Sequence, residues 1–174
     1  MRETSGDTDW SADEAVTLLF SAHYRALVRL AVLLLHDRAV AEEVVQEAYV
    51  ELHARWTRLR EADKALAYLR TTVVNRSRSA LRRRGVAERF AAREPAPRTQ
   101  PSAETSVLLS LEHDEVVAAL RTLPARQREA LVLRYYADLS EAQIADAMGV
   151  SRGAVKSHTA RGIAALRLRL ERAA

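Results

Sequence analysis

The chain has 174 residues, 48% of them apolar, with a formal net charge of +4 and a pI of about 9.8. That length holds one ordinary domain or two small ones, and the apolar share excludes a disordered chain. Cysteine is absent, which excludes disulfides, thiolate metal sites and cysteine nucleophiles.

Aromatic residues, Gly and Pro are scarce, while Ala, Leu, Val and Arg dominate. That mixture favours helix, and no alternating apolar and polar run marks a strand. The expected fold class is therefore all-α. The start, Met1 to Asp13, is acidic and polar, unlike a secretory signal. The longest unbroken apolar run, Leu30 to Leu35, is too short by itself to span a bilayer. The cytoplasm is the expected compartment, without membrane insertion.

Residues 1–12 read as a loose tail. Ser11 and Glu14 have capping-box spacing and should open a first helix. Val16, Leu19, Phe20, Tyr24, Leu27, Leu30, Ala31 and Leu34 then recur at helical spacing. His36 and Asp37 mark its end. A second helix places Ala41, Val44, Val45, Ala48, Leu52 and Trp56 on one face and Glu42, Glu43, Gln46, Glu47 and Glu51 on the other. Thr57 to Asp63 reads as a loop. A third helix carries Leu66, Leu69, Val73, Ala80 and Leu81, and should run out through Arg82, Arg83 and Arg84 into Gly85. These elements make one expected domain, residues 13–85.

Residues 86–106 gather Pro95, Pro97 and Pro101 among Ala, Arg, Thr and Ser, the composition of an extended linker. A second helical domain, residues 107–174, should follow. Leu111, Val116, Leu120 and Leu123 mark its first helix. Pro124 suits the first turn of the next, which should bury Ala130, Leu131, Leu133 and Tyr135. No further C-terminal domain is expected after its last helix.

Residues 139–158 carry the strongest local signal. Ser140 and Gln143 form a second capping-box pattern, Gly149 can supply a left-handed stop, and Ser151 can cap a following helix. Ala145 is small where two helices must cross. The pattern reads as a helix-turn-helix, whose second helix enters the major groove by its N-terminal end. Ser151, Arg152, Lys156, Ser157, His158 and Arg161 are the candidate DNA contacts, since Lys and Arg reach phosphates and Arg can bond guanine edges in two places. His158 has no partner at zinc-ligand spacing, so a metal role is not expected.

Two charged constellations stand in the first domain. Asp37, Glu42, Glu43, Gln46 and Glu47 form an acidic face, better suited to docking a basic partner than to catalysis. Arg70, Asn75, Arg76, Arg78, Arg82 and Arg83, with Arg84 after them, form a positive stripe that can follow a phosphate backbone. Each also admits the plain reading of a solvated helix face.

In their order, these motifs resemble the region 2 and region 4 domains of the extracytoplasmic-function (ECF) RNA polymerase sigma factors, group 4 of the sigma-70 family. Val44-Val45-Gln46-Glu47-Ala48-Tyr49 is similar to that family's polymerase-docking segment. Tyr68 to Arg76 with Leu81 to Arg84 is similar to its promoter-melting helix. Leu123-Pro124-Ala125-Arg126-Gln127-Arg128 and Val155-Lys156-Ser157-His158 are similar to its region 4 signature.

The resemblance implies a helical bundle and a helix-turn-helix domain joined by an extended linker. Asp37, Glu42, Glu43, Gln46 and Glu47 would bind the clamp helices of core RNA polymerase. Arg70, Asn75, Arg76, Arg78, Arg82 and Arg83 would open the −10 promoter element, with segment 58–64 a candidate for holding a flipped base. The helix after Ser151 would read the −35 element, and its domain would touch the polymerase flap. An anti-sigma factor is a further implied partner. No cofactor and no chemical step are implied.

Two other classes share parts of this pattern. The LuxR-type regulators share a pattern like Val155-Lys156-Ser157-His158-Thr159, but need a sensing or receiver domain, and the front half lacks strand-helix alternation. A carboxylate-bridged metal bundle needs Glu-x-x-His pairs facing inward, and none occurs at inward positions.

Overall fold

A computed structural model describes residues 10–59, 61–91 and 114–173. Every regular element among these residues is helical. Helices α1 (Ala12–Leu35), α2 (Arg38–Leu59) and α3 (Ala62–Ala91) pack pairwise into a first bundle. Helices α4 (Asp114–Arg121), α5 (Ala125–Leu131), α6 (Glu141–Met148) and α7 (Arg152–Ala173) form a second body, with a π-turn over Val132–Tyr136 following α5.

The Ser11 capping box opens α1. The Glu14 amide donates to Ser11 Oγ at 3.3 Å, and the Ser11 amide donates to Glu14 Oε2 at 3.0 Å. His36 closes the helix in the left-handed region, φ 56°, its amide donating to the Val32 carbonyl. Asp37 then accepts the Val40 amide at 3.1 Å and so caps α2. Ala41, Val44, Val45, Ala48, Leu52 and Trp56 are buried as their spacing predicts, and Tyr49 joins them. The Tyr49 hydroxyl donates to the Leu19 carbonyl and the Trp56 indole to that of Trp10, so each buried aromatic keeps its polar end satisfied.

Several expected boundaries shift. The loop expected at Thr57 to Asp63 shrinks, because α2 runs to Leu59 and α3 begins at Ala62. Helix α3 does not stop at Gly85 but continues to Ala91; Gly85 has φ below zero and tolerates the helix. Pro124 stands just before α5, at its N-cap, with extended backbone. The tail 1–9, most of the expected linker, and Val107 to Leu111 lie outside the described residues.

Near its end α1 departs from a single buried face. Leu30, Ala31, Leu33, Leu34 and Leu35 are all buried. A helix apolar all round must be covered all round. Here α2 and α3 cover one side, while α5 and the π-turn of the second body cover the other. Among the described helices α1 is also the one long and apolar enough to cross a bilayer by length and composition. Its apolar residues from Leu27 to Leu35 nonetheless line the protein core. At about 1.5–3 kcal/mol for each fully buried large aliphatic side chain, this stretch is a principal source of stability.

In the second body the π-turn changes the expected burial. The Ala137 amide reaches back five residues to the Val132 carbonyl, at 3.1 Å. The extra residue rotates the register, so Val132 and Leu133 are buried while Tyr135 is 67% exposed. Tyr135 therefore belongs to the surface and not to the core expected from spacing.

Candidate nucleic-acid interface

The helix-turn-helix is built by local hydrogen bonds. Ser140 Oγ accepts the Gln143 amide and Gln143 Oε1 accepts the Ser140 amide, opening α6. Gly149 closes it at φ 64°, ψ 41°. The Gly149 amide donates to Asp146 and the Val150 amide to Ala145, the pairing of a Schellman stop. Ser151 Oγ then accepts the Ala154 amide at 3.1 Å, which fixes the start of α7. Val155 beneath the turn is 1% exposed.

This frame leaves the N-terminal end of α7 free to face a groove. The side chains of Arg152 and Lys156 are 68% and 67% exposed. Ser151 and Arg161 are exposed as well, and Ser157 and His158 are half-buried. The predicted contact residues thus gather along one end of one helix. The sequence reading missed Glu141, whose Oε2 lies 3.8 Å from both Arg152 and Lys156. Its carboxylate holds both cations loosely over the helix-turn-helix face. Gly162 was also missed: it is where α7 crosses α5 closely, against Leu131.

The basic stripe on α3 divides into two groups. Arg82, Arg83 and Asn75 are exposed. Arg82 donates to Ser79 Oγ, and Arg84 lies 3.4 Å from Glu88. Arg70 is half-buried, and burial pulls its guanidinium below the ordinary value. Arg76 is paired with Glu47 and, at 3.5 Å, with Glu51. The acidic and basic constellations of the first domain therefore meet at Arg76. Arg78 is turned away from solvent onto Glu129 of the second body.

On the acidic face, Glu43 and Gln46 are exposed, and Glu42 pairs with Arg38 at 2.9 Å. Asp37 is engaged in capping α2. Val50, one turn beyond Gln46, is 70% exposed on this face, a large apolar side chain that helical spacing alone did not flag. Among the described residues no cluster of His, Asp and Glu has the makings of a metal site.

Comparison with known proteins agrees with this geometry. Residues 19–86 match the family model of sigma-70 region 2, and residues 113–166 match that of sigma-70 region 4. The chain is 32% identical to the RNA polymerase sigma-E factor of Streptomyces antibioticus over 146 residues, covering 84% of this chain and 79% of that one. It is 32% identical to the ECF RNA polymerase sigma factor SigL of Mycobacterium tuberculosis over 158 residues, covering 88% and 87%. The solved sigma factor RpoE in complex with the anti-sigma factor NepR from Bartonella quintana shares the fold, with a TM-score of 0.72 and 24% identity over 89% of this chain and 96% of that one. CnrH in complex with the cytosolic domain of CnrY gives a TM-score of 0.65 at 22% identity, over 94% and 96%. With both family regions present in order and relatives matched over most of their length, the chain belongs to the sigma-70 family, as an RNA polymerase sigma factor of the ECF type.

Proposed function

We propose that the chain guides bacterial core RNA polymerase to promoters by binding alone, with no chemical step of its own. The observation that carries this reading is the α7 N-terminus, where the Gly149 turn and Ser151 cap hold exposed Arg152 and Lys156 at a helix end. In this reading Ser151, Arg152, Lys156, Ser157, His158 and Arg161 contact the −35 element in the major groove. Good base contacts contribute about 1–3 kcal/mol each, and phosphate contacts make binding strongly salt-dependent.

The first domain, residues 13–85, binds the clamp helices of the largest polymerase subunit through Glu42, Glu43, Gln46 and Glu47, with Asp37 setting the start of α2. Arg70, Asn75, Arg76, Arg78, Arg82 and Arg83 act on the −10 element, where captured unstacked bases offset the cost of melting. Residues 86–106 connect this domain to the second, 107–174, which also meets the flap. The cytoplasm is where such a complex assembles. An anti-sigma factor is a fitting regulator, a reading supported by the structural neighbour RpoE, which was solved with the anti-sigma factor NepR.

Polymerase docking is tested by measuring the affinity of the full chain for purified core enzyme. Glu43→Lys and Gln46→Ala are the clean variants, because Glu47 also holds Arg76. Each should weaken binding at least tenfold while leaving helical content unchanged. Unchanged affinity in both variants would remove the acidic face from the account.

A further inference from the structure

The two bodies meet along a seam between α3 and α6, with α1 touching α5 and the π-turn. One side chain dominates its polar contacts. Arg78 Nε and Nη2 donate to the two carboxylate oxygens of Glu129, at 3.2 Å each. Nη2 also donates to the Met148 carbonyl at 3.2 Å. Glu129 is 3% exposed. The Met148 carbonyl lies at the end of α6, among those that a Schellman stop leaves without a backbone donor. Arg126 Nη1 reaches the same two acceptors, at 3.2 and 3.1 Å, from within the second body. Arg78 thus completes a buried carboxylate and caps a negative helix end of the other domain, in a forked, charge-assisted geometry.

The rest of the seam does not favour closure electrostatically. The imidazole nitrogens of His36 are buried there without hydrogen-bond partners. The charges that His36 feels, from Arg84 on its own domain and from Arg121 and Arg128 across the seam, are all positive. Tyr136 adds a neutral bond, its hydroxyl donating to the Ala26 carbonyl at 3.3 Å. Among the described residues, favourable charge pairing between the domains is concentrated on Arg78 and Glu129.

Promoter geometry demands that this seam open. The −35 and −10 elements are centred roughly 25 base pairs apart, about 85 Å at 3.4 Å per pair. Helix α7 is only about 33 Å long at 1.5 Å per residue, and α3 is held in direct contact with the helix-turn-helix. The stretch of about 22 residues between Ala91 and Asp114 reaches at most about 75 Å when fully extended, enough to let the domains part. Docked, Arg78 has its Nε and Nη2 edge on Glu129 and donates from Nη1 to Asn75 Oδ1 at 3.1 Å, which leaves no full edge of the guanidinium for a promoter phosphate.

We infer that Arg78 is the latch of a closed free form, docking α3 onto Glu129 and the end of α6, and that promoter engagement takes this side chain from Glu129. This rests on the reading of α3 as the −10 helix. In the closed form Arg152 and Lys156 stay exposed, so closure withholds the α3 surface and leaves the recognition helix available.

The chain has no cysteine, so one labelled pair reports the domain separation cleanly. Spin labels at Ala54→Cys on α2 and Ala164→Cys on α7, both exposed positions, are read by pulsed double electron–electron resonance on the full free chain. The unlatched references are Arg78→Ala and the shape-conserving Glu129→Gln, each checked for unchanged helical content. The latched chain should give one narrow distance. Both variants should give a longer and broader distribution. A broad distribution in the unsubstituted chain, or a narrow one retained in both variants, overturns the latch. Adding core polymerase should open the unsubstituted chain; a bound chain that stays closed also overturns it. Absence of any polymerase complex would count against the proposed function and leave the free-chain result standing.

Discussion

Replacing Gly162 by Ala tests how the recognition helix is seated. A Cβ at this position stands 3.0 Å from both Cγ and Cδ1 of Leu131, and 3.4 Å from Cβ of Gln127. Carbon atoms settle at about 3.5–4.0 Å, so the neighbours must give by roughly half an ångström. Leu131 is 3% exposed, and because its Cγ is as close as its Cδ1, turning a terminal methyl aside does not relieve the contact. Ala gains about 1 kcal/mol over Gly in a helix interior, while overpacking costs about 1–3 kcal/mol. The net expectation is a loss of about 1 kcal/mol. In a Leu131→Ala background, itself costing about 2–5 kcal/mol, the obstacle is gone and Gly162→Ala should stabilise by about 1 kcal/mol. Urea unfolding followed by far-UV circular dichroism over all four chains should therefore show a coupling of about 2 kcal/mol. Equal stabilisation by Gly162→Ala in both backgrounds would refute the close α5–α7 crossing.

Further expectations concern the cap, the seam and the core. Ser151→Ala removes the acceptor of the Ala154 amide and should cost about 1 kcal/mol; duplex binding should weaken with it, as measured by fluorescence anisotropy at fixed salt. Burial and the arginines at 128, 121 and 84 pull His36 down to about 4. The folded state thus favours neutral His36. Its contribution is complete above pH 6.5 and lost progressively as pH falls toward 4. Urea midpoints across that window should fall, and His36→Asn, which keeps a residue suited to φ 56°, should flatten the slope; an unchanged slope contradicts the seam assignment. Leu34→Ala, at a position 1% exposed, should cost about 2–5 kcal/mol in thermal or urea unfolding. Glu141→Gln frees Arg152 and Lys156 and should tighten duplex binding at low salt, with the gain shrinking as salt rises.

The parts of the fold legible in the sequence are those fixed by local chemistry. Ser11 with Glu14, Ser140 with Gln143, and Gly149 before Ser151 each signal a helix end through bonds made within a few residues. The α2 core face was legible because one partner surface covers it. What escaped depends on contacts distant in the chain. Leu33 and Leu35 are buried beside Leu30 and Leu34 on a helix that the second domain also contacts, and no periodicity within α1 announces that contact. Tyr135 was misplaced because a π-turn adds a residue to the register without any residue type that demands it. Arg78 reads as one more arginine in a basic stripe, and its partner lies 51 positions away. Likewise Glu47 reads as a free docking carboxylate, though Arg76 holds it.

The central claim is that this chain confers promoter-specific initiation on core polymerase. Run-off transcription with purified bacterial core enzyme, on a pool of promoter fragments from the source genome, tests it most directly. Discrete transcripts should arise only when the chain is added, and should be lost with Glu43→Lys combined with Gln46→Ala. No added transcripts and no polymerase complex, with sequence-specific duplex binding by the chain alone, would contradict the account and favour a conventional DNA-binding regulator.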